Sequence, residues 1–74
     1  DINITTFNIY PNPTTGILII EGASGAAEVY DIYGRLVLSA ETNSVNISQT
    51  DMGIYFVHVH DANGDIYIAR VVKQ

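Results

Sequence analysis

The 74-residue sequence contains no cysteine and no tryptophan. Without cysteine, neither a disulfide framework nor a thiolate-bound metal site can stabilise the fold. A chain of this length buries only about 60% of the surface that its unfolded form exposes, so the hydrophobic core must be small. The sequence therefore predicts one marginally stable domain over residues 1–74. The absence of cysteine does not identify a cellular compartment, because disulfides are permitted outside the cytosol but not required there.

Basic residues are also scarce, since three Lys and Arg side chains stand against eight Asp and Glu, for a net charge of −5. Contacts to nucleic acid, or to an anionic lipid surface, need clustered Lys and Arg. We therefore expect no nucleic-acid partner. The longest apolar run, residues 17–20, is far shorter than the roughly 20 residues that a membrane-spanning helix needs, so we expect no membrane insertion. Solubility is the simplest explanation of the acidity.

What the chain does contain favours strands. Hydrophobic residues make up 47% of it, valine, isoleucine and tyrosine are prominent among them, and no segment shows sustained helical spacing. Turn residues separate seven candidate strands: 7–10, 17–21, 26–31, 36–41, 45–48, 54–60 and 65–73. Asn63-Gly64 between the last two is a strong hairpin signal. The pattern predicts a seven-stranded antiparallel immunoglobulin-like β-sandwich, an all-β fold.

Alternation of apolar and polar residues assigns several side chains to a face. The predicted inward side chains are Leu18, Ile20, Ala27, Val29, Tyr55, Val57 and Val59, and the outward ones are Ile17, Ile19, Ile54, Phe56, His58 and His60. Tyr55 fits the tyrosine that starts the penultimate strand of immunoglobulin-like sandwiches, so its hydroxyl should bond to backbone within residues 49–53. For residues 36–38 and 66–72 both faces are apolar, so alternation does not decide which side chains face the core.

The sequence contains only weak candidates for a metal-binding or catalytic site. His58-x-His60, followed by Asp61, has the beginning of a zinc site, but solvated side chains on a strand explain it more simply. Asp61-x-Asn63-x-Asp65 has calcium-ligand types, yet its glycine is misplaced for an EF-hand and no glutamate closes the loop. No serine lies in a nucleophile motif, and so small a sandwich has little room for a water-excluding pocket. We expect no enzymatic activity, no cofactor and no metal.

Three short motifs occur in order along the chain, and a fourth ends it. They are Tyr10-Pro11-Asn12-Pro13-Thr14-Thr15-Gly16, Asp31-Ile32-Tyr33-Gly34-Arg35-Leu36-Val37, Gly53-Ile54-Tyr55-Phe56-Val57 and Arg70-Val71-Val72-Lys73-Gln74. Taken singly, each is typical of a turn beside a strand or of a strand end. Together, in this order and over nearly the whole chain, they resemble the C-terminal sorting domain of proteins exported by the type IX secretion system.

The resemblance implies two classes of residue. The family motif residues that we assign to the fold are Pro11, Asn12, Pro13, Gly16, Tyr30, Asp31, Gly34, Val37, Gly53, Tyr55 and Val57. The residues implied in recognition by the translocon are Arg70, Val71, Val72, Lys73 and Gln74, where lysine is commoner than arginine at the first position. At the end of the last strand we also expect an exposed edge, available for β-augmentation, beside accessible basic side chains. The plainer explanation of those basic residues is that they blunt an edge strand.

The function implied by the resemblance is a non-catalytic sorting signal. It would direct an upstream cargo domain of the same precursor through the outer-membrane type IX translocon of a Gram-negative bacterium, with shuttle proteins as further partners. The route passes through the periplasm to the cell surface or the medium, and a sortase-like peptidase removes the domain. Because the chain begins with Asp1, we expect it to be a fragment of a longer secreted precursor. The sequence does not identify the cargo.

The sequence is also compatible with two other functions. One is a small immunoglobulin-like carbohydrate-binding or adhesion module, with Tyr30, Tyr33, Phe56 and Tyr67 as candidate stacking platforms for sugars. The other is a structural spacer between a cargo and its anchor.

Overall fold

A computed structural model describes residues 8–21, 26–41, 43–61 and 64–74. These residues form seven strands and no helix, which confirms the predicted all-β class. The strands are β1 (Asn8–Tyr10), β2 (Ile17–Glu21), β3 (Ala27–Tyr30), β4 (Leu36–Ala40), β5 (Ser44–Asn46), β6 (Gly53–His60) and β7 (Ile66–Lys73). Within this part of the chain there is no helical segment of the length and hydrophobicity that a membrane span requires.

The strands form two antiparallel sheets, as expected for an immunoglobulin-like sandwich. One sheet has the order β1-β2-β5 and the other the order β4-β3-β6-β7. The long hairpin of β6 and β7 pairs Gly53 with Lys73 at one end and His60 with Ile66 at the other. The C-terminal strand is therefore an edge strand of the larger sheet.

The core lies between the sheets and contains the side chains that alternation assigned inward. The buried hydrophobic residues are Leu18, Ile20, Ala27, Val29, Val45, Ile47, Tyr55, Val57, Val59 and Val71. Of the residues predicted to face outward, Ile17 is 54% exposed and Ile54 is 37% exposed, whereas Ile19 and Phe56 are half-buried. The inward assignments are thus confirmed.

The structure also decides the two strands that alternation left open. In β4 a register shift opposite Val29 and Tyr30 pairs Val29 with Leu38 but Tyr30 with Leu36. Such a bulge places one extra residue, Val37, in the strand and breaks its alternation. In β7 the side chain of Val71 is buried, while Ile66 and Ile68 are exposed.

The fifth predicted strand, 45–48, is displaced: β5 covers Ser44–Asn46. The chain leaves the sheet because Asn46 Oδ1 accepts a hydrogen bond from the Ser48 amide at 2.9 Å. Ile47 instead donates its amide to Gly16 O at 2.8 Å and stays fully buried. The first predicted strand began at residue 7, which lies outside the described residues.

Candidate functional site

The five C-terminal residues alternate between the core and the surface. Val71 is fully buried and pairs with Tyr55 of β6. Arg70 and Gln74 are exposed, and Val72 and Lys73 are half-buried. Of the five residues implied in recognition, Val71 therefore contributes to the core. The two exposed residues, Arg70 and Gln74, lie at the two ends of the segment.

The outer edge of β7 is occupied at these residues, contrary to the exposed edge that we expected. The Asn12 side chain spans two backbone groups, with Oδ1 accepting the Val72 amide at 3.0 Å and Nδ2 donating to Arg70 O at 3.1 Å. Thr14 continues the pattern with its backbone, donating its amide to Val72 O and accepting the Gln74 amide, each at 2.8 Å. Thr14 and Lys73 form an isolated parallel bridge. The turn between β1 and β2 thus joins the edge of the opposite sheet.

A buried threonine holds this turn in place. Thr14 is 1% exposed, and its hydroxyl donates to Ile17 O at 3.2 Å and accepts the Gly16 amide at 3.1 Å. A Cβ at Gly16 would lie 3.1 Å from Ser48 Cβ, so glycine permits the close approach of this turn to the segment after β5. The peptide bonds before Pro11 and Pro13 are both cis.

Lys73 is less accessible than the sequence suggested. Its Nζ donates to Thr50 O at 2.8 Å, and the side chain is half-buried. The ammonium group thereby ties the end of β7 to the corner that precedes β6.

The same corner carries the predicted tyrosine contact. The Tyr55 hydroxyl donates to Asp51 O at 2.6 Å, within the predicted 49–53 segment, and Tyr55 is 7% exposed. The prediction of a tyrosine corner is confirmed.

Asp31 organises the turn between β3 and β4. Its Oδ1 accepts the amides of Tyr33 and Arg35 at 2.9 and 3.0 Å, and its Oδ2 accepts Arg35 Nε at 2.9 Å. The Arg35 amide, with further help from its guanidinium, holds the pKa of Asp31 below its ordinary value. Gly34 adopts a φ of +81°, which glycine accepts without strain. Asp31, Gly34 and Arg35 are thus occupied in forming one turn.

These contacts distinguish Arg70 from the other basic residues. Arg35 pairs with Asp31, and Lys73 donates to a backbone carbonyl. Within the described ranges no ion pair or side-chain hydrogen bond involves the Arg70 guanidinium. Arg70 lies on the outer face of the four-stranded sheet, opposite Phe56.

That outer face carries a shallow apolar groove of about 480 Å³, lined by Tyr30, Asp31, Ile32, Gly34, Phe56, His58 and Ile68. Tyr30 and Phe56 are cross-strand neighbours, and the Tyr30 ring lies 4.3 Å from that of His58. Tyr67 is elsewhere, because it pairs with Val59 and packs against the core. The four candidate aromatic platforms therefore do not share one face.

The histidines of β6 face outward as predicted, but they make local contacts. His60 Nε2 lies 2.8 Å from Glu28 Oε1, and this bond to His60 is the main reason why the pKa of Glu28 is below its ordinary value of 4.5. Among the residues that the structure describes, no group of three His, Cys, Asp or Glu is placed to hold a metal ion. The candidate calcium loop includes Asn63, which lies outside those residues.

Sequence comparison supplies the family. Residues 8–74 match the family described as secretion system C-terminal sorting domain, whose domains are generally non-catalytic. Searches of curated proteins and of solved structures gave no significant match. Because the family match covers most of the chain and includes all seven strands, this chain belongs to the secretion system C-terminal sorting domains, the signals that direct type IX export to the cell surface or the extracellular space.

Proposed function

We propose that the end of β7, residues 70–74, is the part of this sorting domain that the outer-membrane type IX translocon recognises. The domain then carries an upstream cargo of the same precursor from the periplasm, with the help of shuttle proteins, to the surface of a Gram-negative bacterium. A sortase-like peptidase removes the domain, after which the cargo is released or attached at the surface.

The observation that carries the proposal is the uncommitted charge of Arg70. In an acidic chain with three basic residues, Arg35 and Lys73 are engaged in local contacts. The Arg70 guanidinium is exposed and lies on the same short segment as exposed Gln74. A positive side chain on an otherwise acidic surface favours one orientation of approach for an acidic partner.

The test is export of a fluorescent cargo fused to this domain. Deleting residues 70–74 should leave the cargo in the periplasm, and normal surface delivery of that variant would refute the terminal signal. The deletion also removes Val71 from the core, so a loss of export does not by itself separate recognition from folding.

A matched pair of point variants separates the two. Arg70→Gln and Arg35→Gln make the same chemical change at exposed residues on different parts of the surface. We expect Arg70→Gln to reduce export several-fold and Arg35→Gln to leave it near the wild-type level. Thermal unfolding should show a shift under about 0.5 kcal/mol for Arg70→Gln, as is usual at surface residues, and up to about 1 kcal/mol for Arg35→Gln, which loses an exposed ion pair. Equal export from both variants would contradict a role for Arg70.

One feature favours a second function, an immunoglobulin-like module that binds carbohydrate or an adhesion partner. Tyr30 and Phe56 are adjacent in the groove of the four-stranded sheet, and aromatic rings can stack on sugars. A glycan array probed with the isolated domain tests this alternative. Glycan binding that the Phe56→Ala substitution abolishes would support the carbohydrate-binding function. An array without signal would contradict it and leave sorting as the one supported function.

A further inference from the structure

We propose that Asn12 positions the C-terminal signal. Together with the Thr14 backbone it forms what we call the terminal clamp, which fixes residues 70–74 in the geometry that the translocon recognises. The inference rests on the proposed function. It gives a role in recognition to Asn12, which the sequence motifs assigned to the fold alone.

The geometry of the clamp is that of a strand pairing in which a side chain replaces part of the backbone. A primary amide carries a donor and an acceptor in one plane, and Asn12 uses them on Arg70 O and the Val72 amide. Thr14 then takes Val72 O and the Gln74 amide. Four successive outward backbone groups of the segment are thereby satisfied, at distances of 2.8 to 3.1 Å.

The clamp coincides with the proposed signal. β7 has β6 as its one strand neighbour in the described sheets, and the contacts of the clamp begin at Arg70 and end at Gln74. The end of an edge strand opens readily when its outer backbone groups are not hydrogen-bonded. We infer that the clamp prevents fraying of this end and holds Arg70 and Gln74 in a fixed relation.

Clamping also determines what a partner can contact. Because Arg70 O, both backbone groups of Val72 and the Gln74 amide are occupied, strand addition at this end requires release of Asn12 and Thr14. With the clamp closed, the fully exposed side chains of this segment are those of Arg70 and Gln74, and Val72 and Lys73 are half-buried. We therefore propose recognition of the closed form through these side chains, rather than through β-augmentation.

Asn12→Ala tests the clamp, because Asn12 is exposed and its replacement removes no buried side chain. The matched control is Asn46→Ala, which removes an exposed asparagine whose Oδ1 accepts the Ser48 amide in another turn. Amide hydrogen exchange should accelerate by about tenfold at Val72 and Gln74 in Asn12→Ala, with the Val57 and Val59 amides unchanged. Export of the fluorescent cargo should fall several-fold in Asn12→Ala and remain near the wild-type level in Asn46→Ala.

Asn12→Asp provides a graded variant, since it keeps an acceptor for the Val72 amide but loses the donor to Arg70 O. We expect exchange and export between those of wild type and Asn12→Ala. Unchanged exchange at Val72 and Gln74 in Asn12→Ala would overturn the clamp. Faster exchange with normal export, or an equal loss of export in Asn46→Ala, would overturn its positioning role. Normal export after deletion of residues 70–74 would instead refute the proposed signal, whatever the exchange measurements show.

Discussion

At the scale of single residues, neighbouring positions in β7 have opposite roles. Val71 faces the core and is fully buried, while Arg70 on one side of it is exposed. Successive side chains of a β-strand point to opposite faces of the sheet, which makes this separation possible. A substitution in the proposed signal can therefore act on stability or on recognition, depending on which face it alters.

Val71→Ala should act on stability. The substitution deletes buried methyl groups and leaves a cavity, which we expect to lower the free energy of unfolding by roughly 1–3 kcal/mol. Val37→Ala, at a residue that is 36% exposed on β4, is the control and should cost less. Chemical denaturation of both variants measures the difference. Equal stabilities would mean that Val71 does not contribute to the core.

Tyr55→Phe removes one hydroxyl from the corner before β6. Because that hydroxyl donates to Asp51 O at 2.6 Å, its loss should cost about 1 kcal/mol, the net value of one hydrogen bond. Tyr33→Phe, at a tyrosine that is 77% exposed, should be nearly neutral. Thermal unfolding distinguishes the two, and a Tyr55→Phe variant as stable as wild type would contradict the importance of this bond.

At the scale of elements, the turn between β1 and β2 depends on a buried hydroxyl, and Thr14→Val tests it. Valine preserves the shape of threonine but leaves Ile17 O and the Gly16 amide without the Thr14 hydroxyl. We expect a loss of about 1–3 kcal/mol, the cost of unsatisfied buried polar groups. The exposed neighbour Thr15 provides the control Thr15→Val. A denaturation curve in which both variants match wild type would show that the hydroxyl does not hold the turn.

Local patterns were sufficient to predict seven strands and the inward faces of β2, β3 and β6, although β5 was predicted at 45–48 and covers Ser44–Asn46. They failed for β4, because the extra residue of a bulge breaks alternation, and the exit of the chain after Asn46 depends on a side-chain contact. The occupied edge of β7 could not be predicted either. Asn12 and Val72 are 60 residues apart in sequence, and no local pattern reports a contact over that separation.

At the scale of the whole molecule, three hydrogen bonds connect the proposed signal to the sandwich. They are made by the Arg70 backbone carbonyl, the Val72 amide and Lys73 Nζ. Lys73 reaches the corner before β6, and Asn12 belongs to the turn that joins two strands of the other sheet. The C-terminal segment is thus held by both sheets. Loss of the fold would release it, so the export of each variant is interpretable only together with a measurement of its folding.

Low pH should lower the free energy of unfolding of the domain, in part because Glu28 becomes protonated. The hydrogen bond with His60 lowers the pKa of Glu28 below its ordinary value of 4.5 in the folded state. A carboxyl group with a depressed folded pKa contributes stability above its unfolded pKa, and this contribution disappears as the pH falls through the folded pKa. The stability advantage of wild type over Glu28→Gln should therefore be present above about pH 5 and shrink as the pH falls through the lowered folded pKa.

Denaturation at a series of pH values measures that advantage directly. Glu41→Gln, which removes an exposed carboxylate beyond the end of β4, controls for the change in net charge alone. The stability difference between wild type and Glu41→Gln should vary less with pH than that for Glu28→Gln. Since both variants reduce the negative charge of the chain equally, a larger pH dependence for Glu28→Gln reports the local contacts of Glu28, of which the bond with His60 is the largest. A difference for Glu28→Gln that stays constant down to low pH would show that this contact does not contribute to acid sensitivity.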